Sequence, residues 1–240
     1  DLGRRLGISK ISEHARALGL GSPTGIDLPN ERAGVMPSPE WKKKARGAKW
    51  YAGETISVSI GQGAVSTTPM QMLRAVSAIA ADGLLTTPHV LLRADVPAEK
   101  GRKWPERRIP IGTDHARRIR AGMWESVNNF GTGHNAAIPG RDICGKTGTV
   151  QVISNERKRQ SGEDVEDHSW FAGFASRDNP EIAMVVFLEH GGKGGVAAAP
   201  LARQIFRAYF DKKENKTATG DNLAASRIRT EGGSMRLSHD

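Results

Sequence analysis

The chain has 240 residues and a formal net charge of +9, with 38% hydrophobic and 25% charged residues. This length allows one sizeable domain or two small ones, and the composition is that of a globular fold with some polar loops or tail. Its single cysteine, Cys144, excludes an intrachain disulfide and a cysteine-rich zinc site. The basic residues are spread along the chain and aromatic residues make up only 5%. We therefore expect solvated basic faces rather than a nucleic-acid surface.

The first half of the chain contains two predicted helices separated by a turn-rich stretch. Residues 1–21 form an amphipathic pattern that ends in a glycine-rich turn. Residues 22–56 contain many turn-forming residues and are predicted to be a surface excursion without regular elements. In the next helix Thr68 is the expected cap, Pro69 the first residue and Gly83 the end. Its predicted buried stripe comprises Met72, Leu73, Val76, Ile79 and Ala80.

The second half begins with a helix and then changes to a strand-like pattern. The helix is predicted from Thr113 to about Asn128, with its apolar residues facing inward. Those inward residues are Ile119, Met123 and Val127. After Pro139 we predict three strands, at residues 141–153, 169–176 and 181–189. The short links between them indicate antiparallel neighbours.

A final helix is predicted over residues 198–210, with its apolar side chains buried. These are Leu201, Ile205, Phe206 and Tyr209. The chain then becomes polar and rich in small residues, which is typical of disorder. We therefore divide it into a domain at residues 1–212 and a disordered tail at residues 213–240. The longest apolar run, at residues 182–188, is far too short to span a membrane.

Residues 140–147 match the phosphate-binding pattern G-x-x-x-x-G-K-T. A phosphate-binding loop requires a buried strand before it and a helix after it, whose N-terminus faces the phosphates. Here residues 128–139 contain no apolar strand, and Thr149 begins a β-favouring run. The context disfavours a nucleotide-binding enzyme, which is kept only as an alternative function.

The same residues fit another motif, because Lys146-Thr147-Gly148 on a strand is one signature of penicillin-recognising serine acyltransferases. Further segments occur in the order found in class B penicillin-binding protein transpeptidases, and resemble the penicillin-binding protein 2 branch. They are Thr24 to Pro29, Met36-Pro37, Glu40 to Lys42, Trp50 to Thr55, Ser59 to Gly63, Thr67 to Met72 and Gly145 to Val152. The resemblance extends over about residues 1–210.

This resemblance implies a partial transpeptidase fold of the α+β class, with an antiparallel sheet packed with helices. It implies a peptidoglycan D,D-transpeptidase that cross-links stem peptides during cell-wall elongation. Lys146, Thr147, Gly148 and Thr149 would form the substrate-binding strand. Lys146 would hold the terminal carboxylate, while the backbone N–H of Thr149 would stabilise the oxyanion, so both are assigned catalytic roles. Gly148 would let the substrate backbone lie against the strand, and the Thr147 and Thr149 hydroxyls could bind its carboxylate.

The chain departs from the family pattern because none of its serines is followed by lysine three positions later. We expect the nucleophilic serine, its lysine and a membrane anchor to precede Asp1, which would make this fragment inactive by itself. The expected location is the extracytoplasmic face of the bacterial inner membrane. The expected partners are D-Ala-D-Ala stem peptides, β-lactams in the full-length protein and elongation-complex proteins, with no nucleic acid, cofactor or metal.

Other candidate residues receive structural interpretations. Ser126-Val127-Asn128 matches the family's Ser-x-Asn motif but lies too close to Lys146, so the match is interpreted as accidental. Cys144 is predicted to be a buried residue rather than a nucleophile. His134 and His168 are predicted to be loop or strand-edge residues. A noncatalytic basic module that binds nucleic acid or cell-wall polymer is the remaining alternative.

Overall fold

The computed structural model describes residues 1–92, 105–152 and 166–232, without the side chains of residues 216–232. It divides into two compact units, residues Asp1–Ala202 and Arg203–Asp240. The helices are α1 (Leu2–Ala17), α2 (Pro39–Arg46), α3 (Ala52–Ser59), α4 (Pro69–Ala80), α5 (Thr113–Asn128) and α6 (Ala198–Gly232), with a 3₁₀ turn at His134–Ala136. The strands are β1 (Leu84–Leu85), β2 (Arg107–Arg108), β3 (Ile143–Val150), β4 (His168–Ala175) and β5 (Ile182–Leu188). The described part is therefore α+β, as predicted.

The main sheet has the order β3-β4-β5, and both pairs are antiparallel, as predicted, although only the link between β4 and β5 is short. β3 pairs with β4 only, among the described strands, so its other edge is unpaired. One face of the sheet packs against α4 and α5 around a core of Val76, Ala80, Met123, Cys144, Ala172 and Phe174. On the opposite face Ser169 Oγ accepts a hydrogen bond from the Ala198 N–H, at the start of α6. The sheet is thus packed against helices on one face and hydrogen-bonded to Ala198 on the other.

The predicted start of α4 and the predicted bounds of α5 are confirmed, whereas α4 ends at Ala80, before the predicted end at Gly83. Thr68 Oγ1 accepts from the Gln71 N–H (3.1 Å) and Pro69 is the first residue of α4. α5 has the predicted bounds, and Met123 and Val127 are buried. Ile119 is 41% exposed, so its predicted burial is wrong. Its side chain lines an open groove rather than the closed core.

The prediction for residues 22–56 is wrong, because this stretch contains α2 and the first part of α3. α2 begins after Ser38, whose hydroxyl accepts from the Trp41 N–H, and ends at Gly47 in the left-handed conformation. α3 begins after Tyr51, where the Glu54 carboxylate accepts from the Tyr51 N–H. Ser38 and Gly47 therefore cap a short helix, a role that composition alone does not distinguish from a place in a loop.

The last helix extends beyond its predicted end. Phe206 is buried, as predicted, whereas Ile205 is 43% exposed, so its predicted burial is wrong. The backbone of residues 213–232, within the predicted tail, is helical. Residues 233–240 lie outside the described residues, and the division of the chain at residue 212 stays a prediction.

One buried side chain joins α4 to the turn-rich segment that precedes it. Gln71 is fully buried, and its Nε2 donates to the carbonyls of Ser22 (2.6 Å) and Ala33 (2.8 Å). Its Oε1 accepts from the Thr68 N–H (3.1 Å) and the Thr67 hydroxyl (3.1 Å). Because every hydrogen-bonding position of the amide is used, the segment from Ser22 to Ala33 is attached to α4 by polar contacts.

Replacing this amide tests that role. We expect Gln71→Leu to lower the free energy of unfolding by about 2–4 kcal/mol, because two buried carbonyls lose their donors. Urea denaturation followed by circular dichroism measures the change. Met70→Leu, at the neighbouring half-buried position, is the control and should cost less than about 1.5 kcal/mol. Equal unfolding midpoints for the two variants would contradict the assignment.

Candidate functional site

The predicted motif lies on β3, the edge strand of the main sheet. Ile143 and Cys144 are fully buried and fix the start of the strand, while Lys146 is exposed. Gly145 lies under the ring of Phe171, since a Cβ at that position would be 2.2 Å from the Phe171 Cζ atom. A side chain at Gly145 is therefore sterically excluded. The motif residues consequently lie on a strand whose register is fixed by its neighbours.

The structure contradicts the phosphate-loop alternative. Lys146 and Thr147 lie inside β3, which continues to Val150, and no helix starts at Gly148. The backbone N–H groups of an extended strand do not converge on one phosphate as those of a helix N-terminus do. Gly140, which would begin the loop, lies in the turn where Ile138 and Arg141 form a β-bridge.

The Lys146 side chain is available to a ligand. Its Nζ donates to the Thr147 carbonyl at 2.8 Å, and no carboxylate lies within salt-bridge distance among the described residues. An ammonium group has three donors, so this bond leaves two N–H groups to bind an anion.

Both threonine hydroxyls of the motif already have partners within the protein. Thr147 Oγ1 lies 2.9 Å from Thr132 Oγ1, in the loop that follows α5. Thr149 Oγ1 accepts from the Gly194 N–H at 3.2 Å. The hydroxyls therefore attach β3 to two loops, and a carboxylate would have to share or displace these bonds.

The loop between β5 and α6 lies directly on the motif strand. A Cβ on Gly194 would be 2.3 Å from the Gly148 carbonyl oxygen and 2.6 Å from that of Trp170. A Cβ on Gly195 would be 2.5 Å from the Thr132 carbonyl oxygen, and Asn135 Nδ2 donates to the Gly195 carbonyl. Only glycine permits this approach of backbone to backbone. The run of glycines between His190 and Val196 was the sequence signal for this contact, which the sequence reasoning missed.

A groove of about 820 Å³ lies beside the motif. The sheet forms one wall, through residues 146–150 together with Trp170 and Phe187. The other walls are mostly apolar and come from α1, α3, α4, α5 and the segments next to them. They include Ile11, Met36, Val58, Met72, Val76, Ile79, Ile119 and Met123. The charged end of Lys146 is thus placed beside an apolar groove wide enough for a small ligand.

A second contact that the sequence reasoning missed involves Gln62. Its Nε2 donates to the Thr149 carbonyl at 3.1 Å, across 87 residues of sequence. Gly61 and Gly63 both have φ of +76°, which glycine adopts without strain. The turn directs Gln62 towards β3.

The remaining candidates, Ser126, Asn128 and Cys144, are buried or bonded within the fold. Asn128 Nδ2 donates to the Ile143 carbonyl at 2.8 Å and so attaches α5 to β3. Ser126 Oγ is buried, with no described hydrogen-bond partner. Burial, the main cause, raises the pKa of the Cys144 thiol to about 12, so the thiolate nucleophile is not formed near neutral pH.

The two histidines near the motif also make structural contacts. His134 Nδ1 lies 3.3 Å from the Val127 carbonyl, and its ring stacks on Phe130. His168 Nδ1 accepts from the His190 N–H at 3.1 Å, at the start of β4. No group of three metal-binding side chains is present in the described ranges. Nor does any described helix have the length and apolar character that crossing a membrane requires.

The comparison with known proteins agrees with the motif and the sheet. A family model described as the penicillin binding protein transpeptidase domain matches residues 1–207. The chain belongs to this family. The peptidoglycan D,D-transpeptidase MrdA of Acinetobacter baumannii is 39% identical over 241 residues, which cover 96% of this chain and 35% of the relative. The chain thus spans about a third of the length of the curated relatives it matches.

Solved penicillin-binding proteins have the same fold. PBP2 of Pseudomonas aeruginosa, in complex with WCK 5153, has a TM-score of 0.72 and 32% identity, over 87% of this chain and 44% of that one. PBP2 of Helicobacter pylori, in complex with MreC, has a TM-score of 0.72 and 29% identity, over 87% and 38%. The predicted resemblance to the penicillin-binding protein 2 branch and the partial α+β transpeptidase fold are confirmed.

Substituting Gly194 tests the backbone contact beneath the motif. We expect Gly194→Ala to lower the free energy of unfolding by about 1–3 kcal/mol, because the new methyl group overlaps two carbonyl oxygens. The amide resonances of Thr147 to Thr149 should move in the same variant. Gly53→Ala on α3 is the matched control, since a Cβ there meets nothing within 4 Å. Unchanged stability and unchanged resonances for Gly194→Ala would rule out the close approach.

Proposed function

We propose that this chain forms the substrate-binding wall of a peptidoglycan D,D-transpeptidase that cross-links stem peptides during cell-wall elongation. The observation that supports this most directly is the position of Lys146, a cation without a described carboxylate partner on an unpaired strand edge beside the groove. The family match and the likeness to MrdA and PBP2 support the same reaction class. In this proposal Lys146, Thr147, Gly148 and Thr149 bind the substrate.

The reaction is an acyl transfer in two steps. A serine hydroxyl attacks the carbonyl carbon between two D-alanines, the C–N bond breaks, and the terminal D-alanine leaves after its amine takes up a proton. An amine from a neighbouring stem peptide then attacks the acyl-serine ester, which forms the cross-link and returns the serine. Lys146 binds the terminal carboxylate in the first step, before the D-alanine leaves, and the Thr149 N–H stabilises the oxyanion in each of the two steps. β-Lactams resemble the D-Ala-D-Ala end and stop at the acyl stage.

The serine nucleophile is not assigned to this chain. None of its serines is followed by lysine at the third position. Ser66 and Thr67 line the groove, yet neither hydroxyl makes a hydrogen bond to a lysine in the described part of the chain. Without an adjacent base a hydroxyl is a weak nucleophile at neutral pH. We therefore propose that these 240 residues bind substrate without turning it over.

The partners and location follow from the same proposal. The Helicobacter pylori PBP2 structure contains MreC, which supports assembly of this protein with elongation-complex proteins. Attachment to the bacterial inner membrane, with the site on the extracytoplasmic face where the peptidoglycan lies, fits the proposed substrate.

Covalent labelling tests the missing nucleophile. We expect no covalent band when the chain is incubated with a fluorescent penicillin and separated under denaturing conditions. A penicillin-binding protein that contains its own serine nucleophile is the positive control. A band that survives denaturation, and that competes with unlabelled penicillin, would contradict this part of the proposal.

Peptide titration tests the binding strand. In nuclear magnetic resonance titrations Nα-acetyl-L-lysyl-D-alanyl-D-alanine should shift the amide signals of residues 145–150, whereas its L-alanyl-L-alanine counterpart should bind more weakly. We expect Lys146→Ala to weaken binding of the D-peptide about tenfold, because a charge-assisted hydrogen bond is lost. Lys146→Arg keeps the charge and should retain more binding. Lys193→Ala, an exposed lysine on the neighbouring loop, is the control, and equal effects of Lys146→Ala and Lys193→Ala would contradict the role of Lys146.

A further inference from the structure

The pairing of β3 with β4 determines which backbone groups of the motif face the free edge. Gly148 lies opposite Trp170, and a Cβ on Gly194 would be within 2.6 Å of the carbonyl oxygens of both. These two oxygens therefore lie close together, between the strands, which is the arrangement of a hydrogen-bonded antiparallel pair. Such pairs alternate with pairs whose N–H and C=O groups point outward. The backbone groups of Thr147 and Thr149 consequently point away from β4, to the free edge of the sheet.

Side-chain donors occupy the two carbonyls of the motif on this edge. Lys146 Nζ donates to the Thr147 carbonyl (2.8 Å) and Gln62 Nε2 donates to the Thr149 carbonyl (3.1 Å). The backbone of Gln62 is itself held, since its N–H donates to the Ser57 carbonyl at 3.0 Å. The glutamine amide is thus directed at one particular carbonyl by a turn that is fixed to α3.

A peptide that pairs with Thr149 requires the same carbonyl. When an extended ligand runs antiparallel to β3, the residue opposite Thr149 accepts from its N–H and donates to its C=O. Under the proposed function the residue that accepts from the Thr149 N–H is the penultimate D-alanine, because its carbonyl is the one attacked. The N–H of this D-alanine and the Gln62 amide therefore compete for the Thr149 carbonyl.

We propose that Gln62 is a specificity-determining residue of this peptide-binding edge. Without a peptide, Gln62 donates a hydrogen bond to the Thr149 carbonyl. A ligand replaces this bond only when it supplies an N–H at the same register. A ligand that offers only an acceptor at Thr149 leaves the Gln62 bond in place. This inference rests on the proposed function, and it adds a residue that lies outside the Lys146–Thr149 motif.

The test combines one substitution with one change in the ligand. The ligands are Nα-acetyl-L-lysyl-D-alanyl-D-alanine and the same peptide methylated on the nitrogen of its penultimate D-alanine. We expect Gln62→Met to strengthen binding of the unmethylated peptide about twofold to tenfold, the range of one competing hydrogen bond. Binding of the methylated peptide should not change. Gln151→Met, which replaces another exposed glutamine near the end of β3, is the matched control and should affect neither ligand.

A second measurement needs no substitution. In the unaltered chain the side-chain amide signals of Gln62 should move when the unmethylated peptide is added and should stay in place with the methylated one. Two results would overturn this inference while leaving the proposed function intact. One is an equal change in affinity, or in the Gln62 signals, for the two ligands. The other is weaker binding of the unmethylated peptide by Gln62→Met. If the unaltered chain binds neither peptide, the proposed function is itself wrong and the inference fails with it.

Discussion

The register between β3 and β4 is the constraint on which the site depends. With Gly148 opposite Trp170, Lys146 and Gly148 lie on the face that lines the groove, and the N–H groups of Thr147 and Thr149 point to the free edge. A slip of one residue would send the lysine to the opposite face and turn those N–H groups towards β4. Two steric contacts oppose such a slip. The Phe171 ring leaves no space for a Cβ at Gly145, and the Gly148 carbonyl lies directly against the backbone of Gly194, where no Cβ would fit.

The position of the motif strand is fixed by contacts with β4, with the helices on one face and with two loops. Cys144 is packed between the sheet and the helices α4 and α5, and Asn128 binds the Ile143 carbonyl. The Thr147 and Thr149 hydroxyls are hydrogen-bonded to the loops that contain Thr132 and Gly194. A strand fixed in this way presents its N–H groups without rearrangement, which is what electrostatic stabilisation of a developing oxyanion requires. The polar contacts of the motif with the rest of the protein therefore serve the geometry of the edge as well as stability.

The sequence allowed good prediction of elements whose signals are local. α4 has a cap of its own, α4 and α5 each have an apolar period, and the strands are β-favouring runs, the last two of which are joined by a short link. The same local reasoning failed where a residue's role depends on distant neighbours. Ile119 has the helical period of a core residue but lines an open groove. Ser38 and Gly47 are of residue types that favour both turns and helix caps. Sequence alone does not distinguish these two roles.

The motif was found from four consecutive residues, whereas its supporting contacts could not be. The Thr149 carbonyl meets a glutamine 87 residues earlier, and its hydroxyl meets a glycine 45 residues later. Neither contact is associated with a periodic pattern in the sequence, because each depends on how distant loops pack against β3. The glycine runs marked positions of close approach or unusual φ, but not the atoms they would approach.

The size of the proposed ligand determines what the groove and the strand edge each contribute to binding. Alanine side chains are single methyl groups, and burying each one contributes less than about 1 kcal/mol. An apolar groove cannot therefore distinguish a D-Ala-D-Ala terminus from other small peptides by burial alone. Discrimination has to come from the polar groups, namely the Lys146 ammonium, the outward N–H groups and the carbonyl that Gln62 occupies. The apolar walls strengthen these few contacts by lowering the local dielectric constant, so that a small ligand can be recognised mainly by the positions of its charges and hydrogen-bonding atoms.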